Sequence, residues 1–369
     1  MQTPPIGPVL ILTNQLSVGG AEVYVVTVSS WLAEQGIDVA VAATPGDLVK
    51  KLHPRVDYYP VPLRDVRWSL PLAVQRVRKV AEQVKPKAIV ANSLVTAWIG
   101  KLATLRASTP ILEVAHGWPV ARYGTVAKLM RPPNDQVVPV SVEVERRLRD
   151  GGLPDSQMTV VANGVDLSPF TKPSRKARNA LRKEAFGAGT KDFVITNTGR
   201  YAEQKAQHHI IEIARQLKPT HPHLRFGVIG YGEREEELQL LIERHDVAEQ
   251  VRLTGKRSDV PALLMASDVY LNCSNWEGMP LSTIEAMGAG LALVCTKTEG
   301  IGALMPTGDN GFVVPVGDPT AMADAIRTLA DDSRLRKRMG KASRKLAEQQ
   351  FSKERMCSEL AKVIAEVIG

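Results

Sequence analysis

The stretch Val269-Tyr270-Leu271-Asn272-Cys273-Ser274-Asn275-Trp276-Glu277-Gly278-Met279-Pro280-Leu281-Ser282-Thr283-Ile284-Glu285-Ala286-Met287-Gly288 decides how this chain is read. It opens as an apolar run that reads as a buried strand. It passes through a glycine-containing turn and closes as a small-residue helix running up to Gly288 and Gly290. A helix N-terminus offers unpaired N–H groups and a positive dipole end, which suits phosphate. Glu277 precedes the helix and Glu285 lies about one and a half turns inside it, so both face one crevice at different depths. Phosphate repels carboxylates. Glutamates in such a place fit hydroxyl groups better. Ser282 and Glu285 also match S-x-x-E, an ordinary capping box, and the local pattern leaves both readings open.

The same strand–turn–helix unit recurs outward from this stretch. Before it, Val9–Thr13, Val39–Ala43, Ala88–Ala91, Ile111–Val114 and Gln136–Val140 read as strands. Helical patterns at 21–35, 70–84 and 94–106 lie between them. A turn-rich segment, Asn163-Gly164-Val165-Asp166-Leu167-Ser168-Pro169-Phe170, and a basic, polar run from Lys172 to Arg182 read as the interdomain link, after which the alternation restarts. Strands are expected at 193–198, 224–229, 251–253, 269–271, 291–295 and 312–314. Helices are expected at 204–217, 233–245, 260–266 and 281–287. Asp318-Pro319 reads as an N-cap with proline at N1, opening a helix through Leu329, and Ser333 and Ser352 as caps of two more. Continuous apolar strands between helices imply parallel sheets covered on both faces. The expected fold is α/β, two Rossmann-like, doubly wound domains in tandem. Ligands of such sheets sit beyond the carboxyl ends of the strands, and two facing domains make a cleft the default site.

Composition agrees. At 369 residues the chain exceeds one ordinary core, and two domains of about 170–190 residues are natural. No apolar run approaches the ~18–20 residues that span a bilayer, and the segment Met1 to Leu12 lacks a basic start, so no signal peptide is expected. Three scattered cysteines, Cys273, Cys295 and Cys357, argue for a reducing cytoplasm and against a disulfide framework or zinc site. The net charge of +8 is shared equally, +4 before and +4 after Phe170. It fits anionic ligands or an anionic membrane face. Nucleic acid is not expected, since no recognition motif is present and aromatics are only 5%.

Several residues carry candidate chemistry. Gly19-Gly20 follows the first strand and opens the first helix, letting backbone approach a phosphate. Gly199-Arg200 and Lys205 follow the first strand of the second half, where two cations can neutralise a diphosphate. His116-Gly117-Trp118 follows a strand, and His116 there can orient a reacting group. Gly230-Tyr231-Gly232 begins like a dinucleotide fingerprint but fails at its third position, Glu235. The chain has no D-x-D, so no carboxylate pair suits a metal on a diphosphate, and no cofactor or metal is expected. From Val114 to Asn134 there is no acidic residue, while Arg122, Lys128 and Arg131 lie near Trp118, a candidate acceptor or membrane surface.

Taken together, Gly19-Gly20-Ala21-Glu22, His116-Gly117-Trp118, Asn163-Gly164-Val165-Asp166, Gly199-Arg200 with Lys205, and Glu277-x7-Glu285 resemble retaining glycosyltransferases of family 4, over nearly the whole chain. The resemblance implies a GT-B fold. Residues 1–170 would bind the acceptor, 171–351 the nucleotide-sugar, and the helix of 352–369 would return to the first domain. By position, Arg200 and Lys205 would hold the donor diphosphate, Glu285 the ribose, and Glu277 the transferred sugar. Gly278, Met279, Pro280, Leu281 and Ser282 would contact sugar and phosphates. Gly255 and Lys256 would hold the base, Gly19 and Gly20 would close on the diphosphate, and His116 would sit near the anomeric carbon. Glu299-Gly300-Ile301 departs from the family's paired glycines. The expected activity is retaining, metal-independent transfer of a hexose-type sugar from a UDP-sugar, or less commonly a GDP-sugar, to a glycan or lipid-linked hydroxyl. The expected place is the cytoplasm, at the inner membrane face. A nucleotide-sugar 2-epimerase and a non-catalytic sugar-nucleotide-binding protein remain open.

Overall fold

A computed structural model describes residues 6–17, 19–64 and 69–369. Val18 of the expected first turn, and residues 1–5 of the segment expected to lack a signal peptide, lie outside them. Two compact units emerge, one of Met1–Asn163 with Lys353–Gly369, the other of Gly164–Ser352.

In the first unit, six parallel strands are ordered β3-β2-β1-β4-β5-β6. They are β1 Val9–Gln15, β2 Val39–Thr44, β3 Val56–Pro60, β4 Ala88–Ala91, β5 Ile111–Ala115 and β6 Gln136–Pro139. Helices α1 Gly20–Glu34, α2 Leu70–Val84, α3 Leu94–Ala103, α4 Tyr123–Met130 and α5 Val142–Asp150 connect them. Val9, Leu10, Ile11 and Leu12 are each at most 1% exposed, as a strand covered on both faces requires. Helix α2 buries Ala73, Val77, Val80 and Ala81, one stripe at helical spacing, and ends at Lys85 with φ of 50° just before Pro86.

In the second unit the order is β12-β11-β10-β7-β8-β9, again parallel. Its strands are β7 Phe193–Thr198, β8 Leu224–Ile229, β9 Val251–Gly255, β10 Val269–Asn272, β11 Ala292–Thr296 and β12 Gly311–Val314. Its helices are α6 Arg175–Phe186, α7 His208–Leu217, α8 Glu235–Arg244, α9 Val260–Ala266, α10 Leu281–Gly288, α11 Ile301–Leu304, α12 Pro319–Asp331 and α13 Ser333–Gln350. The last helix, α14 Lys353–Ile368, packs on α1 and β4 of the first unit.

Four expectations change. The boundary between units falls at Asn163/Gly164, not at Phe170. The Val165 N–H donates to Phe351 O at 3.0 Å, and a Cβ on Gly288 would meet Leu167 and Phe170, so 164–170 is stitched to the second unit. The basic run 172–182 is not a plain link. It begins α6, capped by Ser174, whose Oγ accepts from Ala177 N, and closed by Gly187 at φ of 64°. Arg178 and Arg182 pair with Asp268, and buried Arg182 also donates to Ala266 O. Asp332, not Ser333, caps α13, accepting from Arg334 N and Leu335 N at 2.9 Å. Strand β3 was not anticipated. It is a short edge strand that ends on Pro60 and fully buries only Val56, so its sequence carries no apolar run.

Candidate active site

In the second sheet the chain steps outward from β7 through β8 to β9, then restarts on the other side at β10. Loops leaving the carboxyl ends of β7 and β10 therefore diverge, opening the crevice where ligands of such sheets bind. Both loops carry the candidate residues, and hydrogen bonds tie them together. Asn275 N donates to Gln204 O at 2.8 Å and Asn275 Nδ2 to Glu203 O at 2.9 Å. Gln204 Nε2 donates to Trp276 O at 3.0 Å. The Cys273 thiol donates to Lys205 O at 3.3 Å.

This framework sets Lys205 against Glu277. Lys205 Nζ lies 2.5 Å from Glu277 Oε1, and Ser274 Oγ donates to the same oxygen at 2.7 Å. Glu277 is 6% exposed, so its charge is desolvated and needs both donors. Ser274 is fixed in turn. Its N–H donates to Asn272 Oδ1 at 2.9 Å and its carbonyl accepts from Thr296 Oγ1 at 2.6 Å. Arg200 is exposed and makes no ion pair or side-chain hydrogen bond among the described residues.

Behind the loops, Gly230 and Gly232 explain the broken G-x-G. A Cβ at Gly230 would lie 2.0 Å from Gly199 O, and one at Gly232 2.5 Å from Tyr201 O. These glycines admit the 199–201 backbone rather than a dinucleotide. Gly300 does the same for the other loop. Its N–H donates to Glu277 O at 3.2 Å, and a Cβ there would come within 2.4 Å of both Gly278 O and Met279 Cα.

Helix α10 begins at Leu281 with Pro280 at the N-cap, and no side chain caps it. Ser282 is therefore inside the first turn, and the expected capping box does not form. Its absence leaves the helix N-terminus without a side-chain acceptor, as an anion site requires. Glu285 is half-buried, and its carboxylate has no ion pair or hydrogen-bond partner among the described residues. Desolvation pushes its carboxyl up to about 7. An unfolded glutamate titrates near 4.5, so between the two values the folded chain holds the extra proton and loses stability as pH rises. Glu285→Gln should raise stability by about 1–2 kcal/mol at pH 8 after allowance for solvent screening, with no gain at pH 4. Thermal melts at the two pH values check this, and equal shifts at both would refute it.

Gly255 has φ of 69° with no atom within 4 Å of a Cβ position, and exposed Lys256 lies over the Tyr231 ring at 5.5 Å. Gly255 ends β9 and Lys256 follows it, at the far edge of the sheet from β12. Gly278 and Met279 are buried within the Glu277 turn.

The first unit presents its residues separately. Its chain order also reverses, between β1 and β4. Gly19 caps α1, exposed Gly20 begins it, and Glu22 Oε2 lies 2.3 Å from where a Gly19 Cβ would sit. His116 follows β5, donates from Nε2 to Asn92 Oδ1 at 2.7 Å, and meets Tyr24 edge-on at 5.3 Å. Burial pushes His116 down to about 4, so the ring is neutral at pH 7. Trp118 stacks edge-on against Tyr123 at 5.8 Å, while Arg122, Lys128 and Arg131 are exposed on or beside α4. Among the described residues, no three His, Cys, Asp or Glu side chains gather as a metal ligand set. No helix there is long and apolar enough to cross a membrane.

The sequence reading picked out Glu277, Lys205, Arg200, Glu285 and His116 but missed Ser274, Gln204 and Asn92, which position three of them. It noted Gly300 only as half of a glycine pair. Position in the Ser274-Asn275-Trp276-Glu277 run was the signal for Ser274. Gln204 and Asn92 act across the fold, with no local pattern to find.

Comparison with known proteins completes the picture. The model of "Glycosyltransferase Family 4" matches residues 18–169, and that of "Glycosyl transferases group 1" matches residues 179–346. A putative colanic acid biosynthesis glycosyltransferase, WcaL of Salmonella typhimurium, is 29% identical over 63% of this chain and 57% of its own length. The chain thus spans little more than half of that relative. The putative glycosyltransferase EpsD of Bacillus subtilis is 27% identical over 90% of each chain. The crystal structure of Anabaena HepE in complex with UDP and glucose superposes with a TM-score of 0.86, at 21% identity, over 98% of this chain and 100% of that one. With one model on each half and this fold throughout, the chain belongs to the GT-B glycosyltransferases of the family 4 type.

Proposed function

We propose that this chain moves a hexose-type sugar from a nucleotide diphosphate sugar, a UDP-sugar before a GDP-sugar, to a hydroxyl of a glycan or lipid-linked acceptor. The observation that carries this reading is the Lys205–Glu277 pair beside the uncapped start of α10, with Arg200 and Glu285 unpaired near it. A cation, a free helix N-terminus and two carboxylates match a donor that has a diphosphate and two sets of hydroxyls. HepE, a solved structure of similar fold, was crystallised with UDP and glucose, and WcaL is named for colanic acid biosynthesis.

Arg200 and Lys205 bind the diphosphate, and with the α10 N–H groups they take up the charge that grows on it as it leaves. Glu285 accepts from the ribose and Glu277 from the transferred sugar. The bond from the anomeric carbon to the phosphate oxygen breaks, and the acceptor oxygen bonds to the same face. The acceptor proton passes to the departing phosphate oxygen, so configuration is retained and neither glutamate becomes a covalent nucleophile. Positioning supplies most of the rate.

The test is a panel of UDP- and GDP-hexoses with lipid-linked and free glycan acceptors, with the product anomer read by NMR. Transfer with retention, at full rate in EDTA, is the expected result. Loss of transfer in EDTA that Mg²⁺ or Mn²⁺ restores would overturn the metal-free mechanism. Conversion of donor without acceptor would point to an epimerase.

The acceptor side is read from α4. Val120 and Leu129 are 57% and 45% exposed beside exposed Arg122, Lys128 and Arg131. Apolar side chains ringed by cations suit an anionic bilayer face. Changing the three cations together to glutamate should weaken binding to phosphatidylglycerol vesicles by roughly 100-fold, at about 1 kcal/mol per charge removed. Undiminished sedimentation with those vesicles would rule this surface out.

A further inference from the structure

Asn92 follows β4 at the point where the first sheet reverses its order, and it is 6% exposed. Its own amide is held by the Leu12 carbonyl, at 2.8 Å. Its side chain reaches three elements. Nδ2 donates to Ala21 O of α1 at 3.0 Å and to Thr13 Oγ1 of β1 at 3.3 Å. Oδ1 lies 2.7 Å from His116 Nε2.

The backbone carbonyl of Ala21 settles which way the amide faces, because a carbonyl only accepts. The group turned toward Ala21 must be the NH2, so the group turned toward His116 is the oxygen. An oxygen there requires a hydrogen on Nε2. In a neutral imidazole the other nitrogen, Nδ1, is then a bare acceptor. Nδ1 has no hydrogen-bond partner among the described residues, and the residue is half-buried, not fully enclosed.

We propose that Asn92 is a positioning residue for sugar transfer: it locks His116 in the Nε2–H tautomer, so that Nδ1 is offered as a hydrogen-bond acceptor to a sugar hydroxyl. This rests on the glycosyltransferase reading above. In this state His116 orients a hydroxyl and does not supply a proton to the leaving phosphate. The neutral ring is consistent with that role, since an imidazolium would present N–H on both sides.

The test is long-range ¹H–¹⁵N correlation of the histidine rings at pH 7, with the His116→Gln spectrum to assign the signal. Wild type should show one tautomer, Nε2 protonated and Nδ1 bare. Asn92→Leu, of similar volume, should lose that single tautomer, and kcat should fall roughly 10- to 100-fold with donor KM within a few-fold. Thr13→Val, which removes only a partner of Nδ2, should keep the wild-type signal. An Nδ1–H tautomer in wild type would overturn the proposal whether or not the variants fold. So would an unchanged signal and an unchanged kcat in Asn92→Leu. If wild type shows the expected tautomer but turns over no sugar donor, it is the transferase reading that fails.

Discussion

Lys205→Ala should abolish transfer and also loosen the fold. Removing the ammonium takes a charge from the proposed diphosphate site, which by analogy with single electrostatic donors costs about 10²–10³-fold in kcat. It also leaves Glu277, buried and now held only by Ser274 Oγ, without its cation. A buried carboxylate stripped of its partner costs several kcal/mol at full burial, and here about 2 kcal/mol because the Lys205 side chain keeps some solvent contact. That is a fall of roughly 5 °C in Tm for a unit of this size. Lost activity on an intact fold is expected instead for exposed and unpaired Arg200. Arg200→Ala should lose at least about 10²-fold in kcat with Tm unchanged. The double variant Lys205→Ala with Glu277→Gln separates the two effects of Lys205, since it should recover Tm but not transfer. Recovered transfer, or an unaltered Tm in Lys205→Ala, would show that the pair is not what holds the turn.

Gly300→Ala should be nearly as damaging although Gly300 touches no expected substrate. Its φ of −79° suits any residue, so the cost is one of space. The added methyl would overlap Gly278 O and Met279 Cα, both backbone, and backbone does not swing aside. The turn carrying Glu277 must move by more than half an ångström, and displacements of about 1 Å at a reacting centre cost about 10²-fold. Expected are a loss of about 10²-fold in kcat and an overpacking penalty of about 1–3 kcal/mol in stability. Kinetics and melts on one preparation check both. Full activity would mean that the 299–301 segment yields freely.

Much of the fold was legible because parallel strands buried on both faces leave continuous apolar runs, as at Val9–Leu12 and Val269–Leu271. Strands 88–91, 193–198 and 224–229 matched at both ends, since proline, glycine or charge flanks each one. What failed was marked by charge or shape. Helix α6 looked like a polar link because Arg178 and Arg182 read as solvated, yet both turn inward to Asp268. Strand β3 was hidden because an edge strand needs no apolar run. Ser282 matched a capping pattern, but the helix starts one residue earlier, at Leu281.

Residue type and order alone determined the class of this protein: two parallel-sheet units, cations after one strand, and two glutamates eight residues apart on either side of a helix start. These follow from local rules of hydrophobic period and turn chemistry. Tertiary structure decided which groups are already engaged. Lys205 and Glu277 lie 72 residues apart in the chain and meet only because β7 and β10 are neighbours in the sheet. Pairing of β10 with β11 places Gly300 under the Glu277 turn, and pairing of β4 with β5 places Asn92 against His116. Charge can be read from a sequence, but whether a charge is paired, bare or held depends on contacts that only folding brings together.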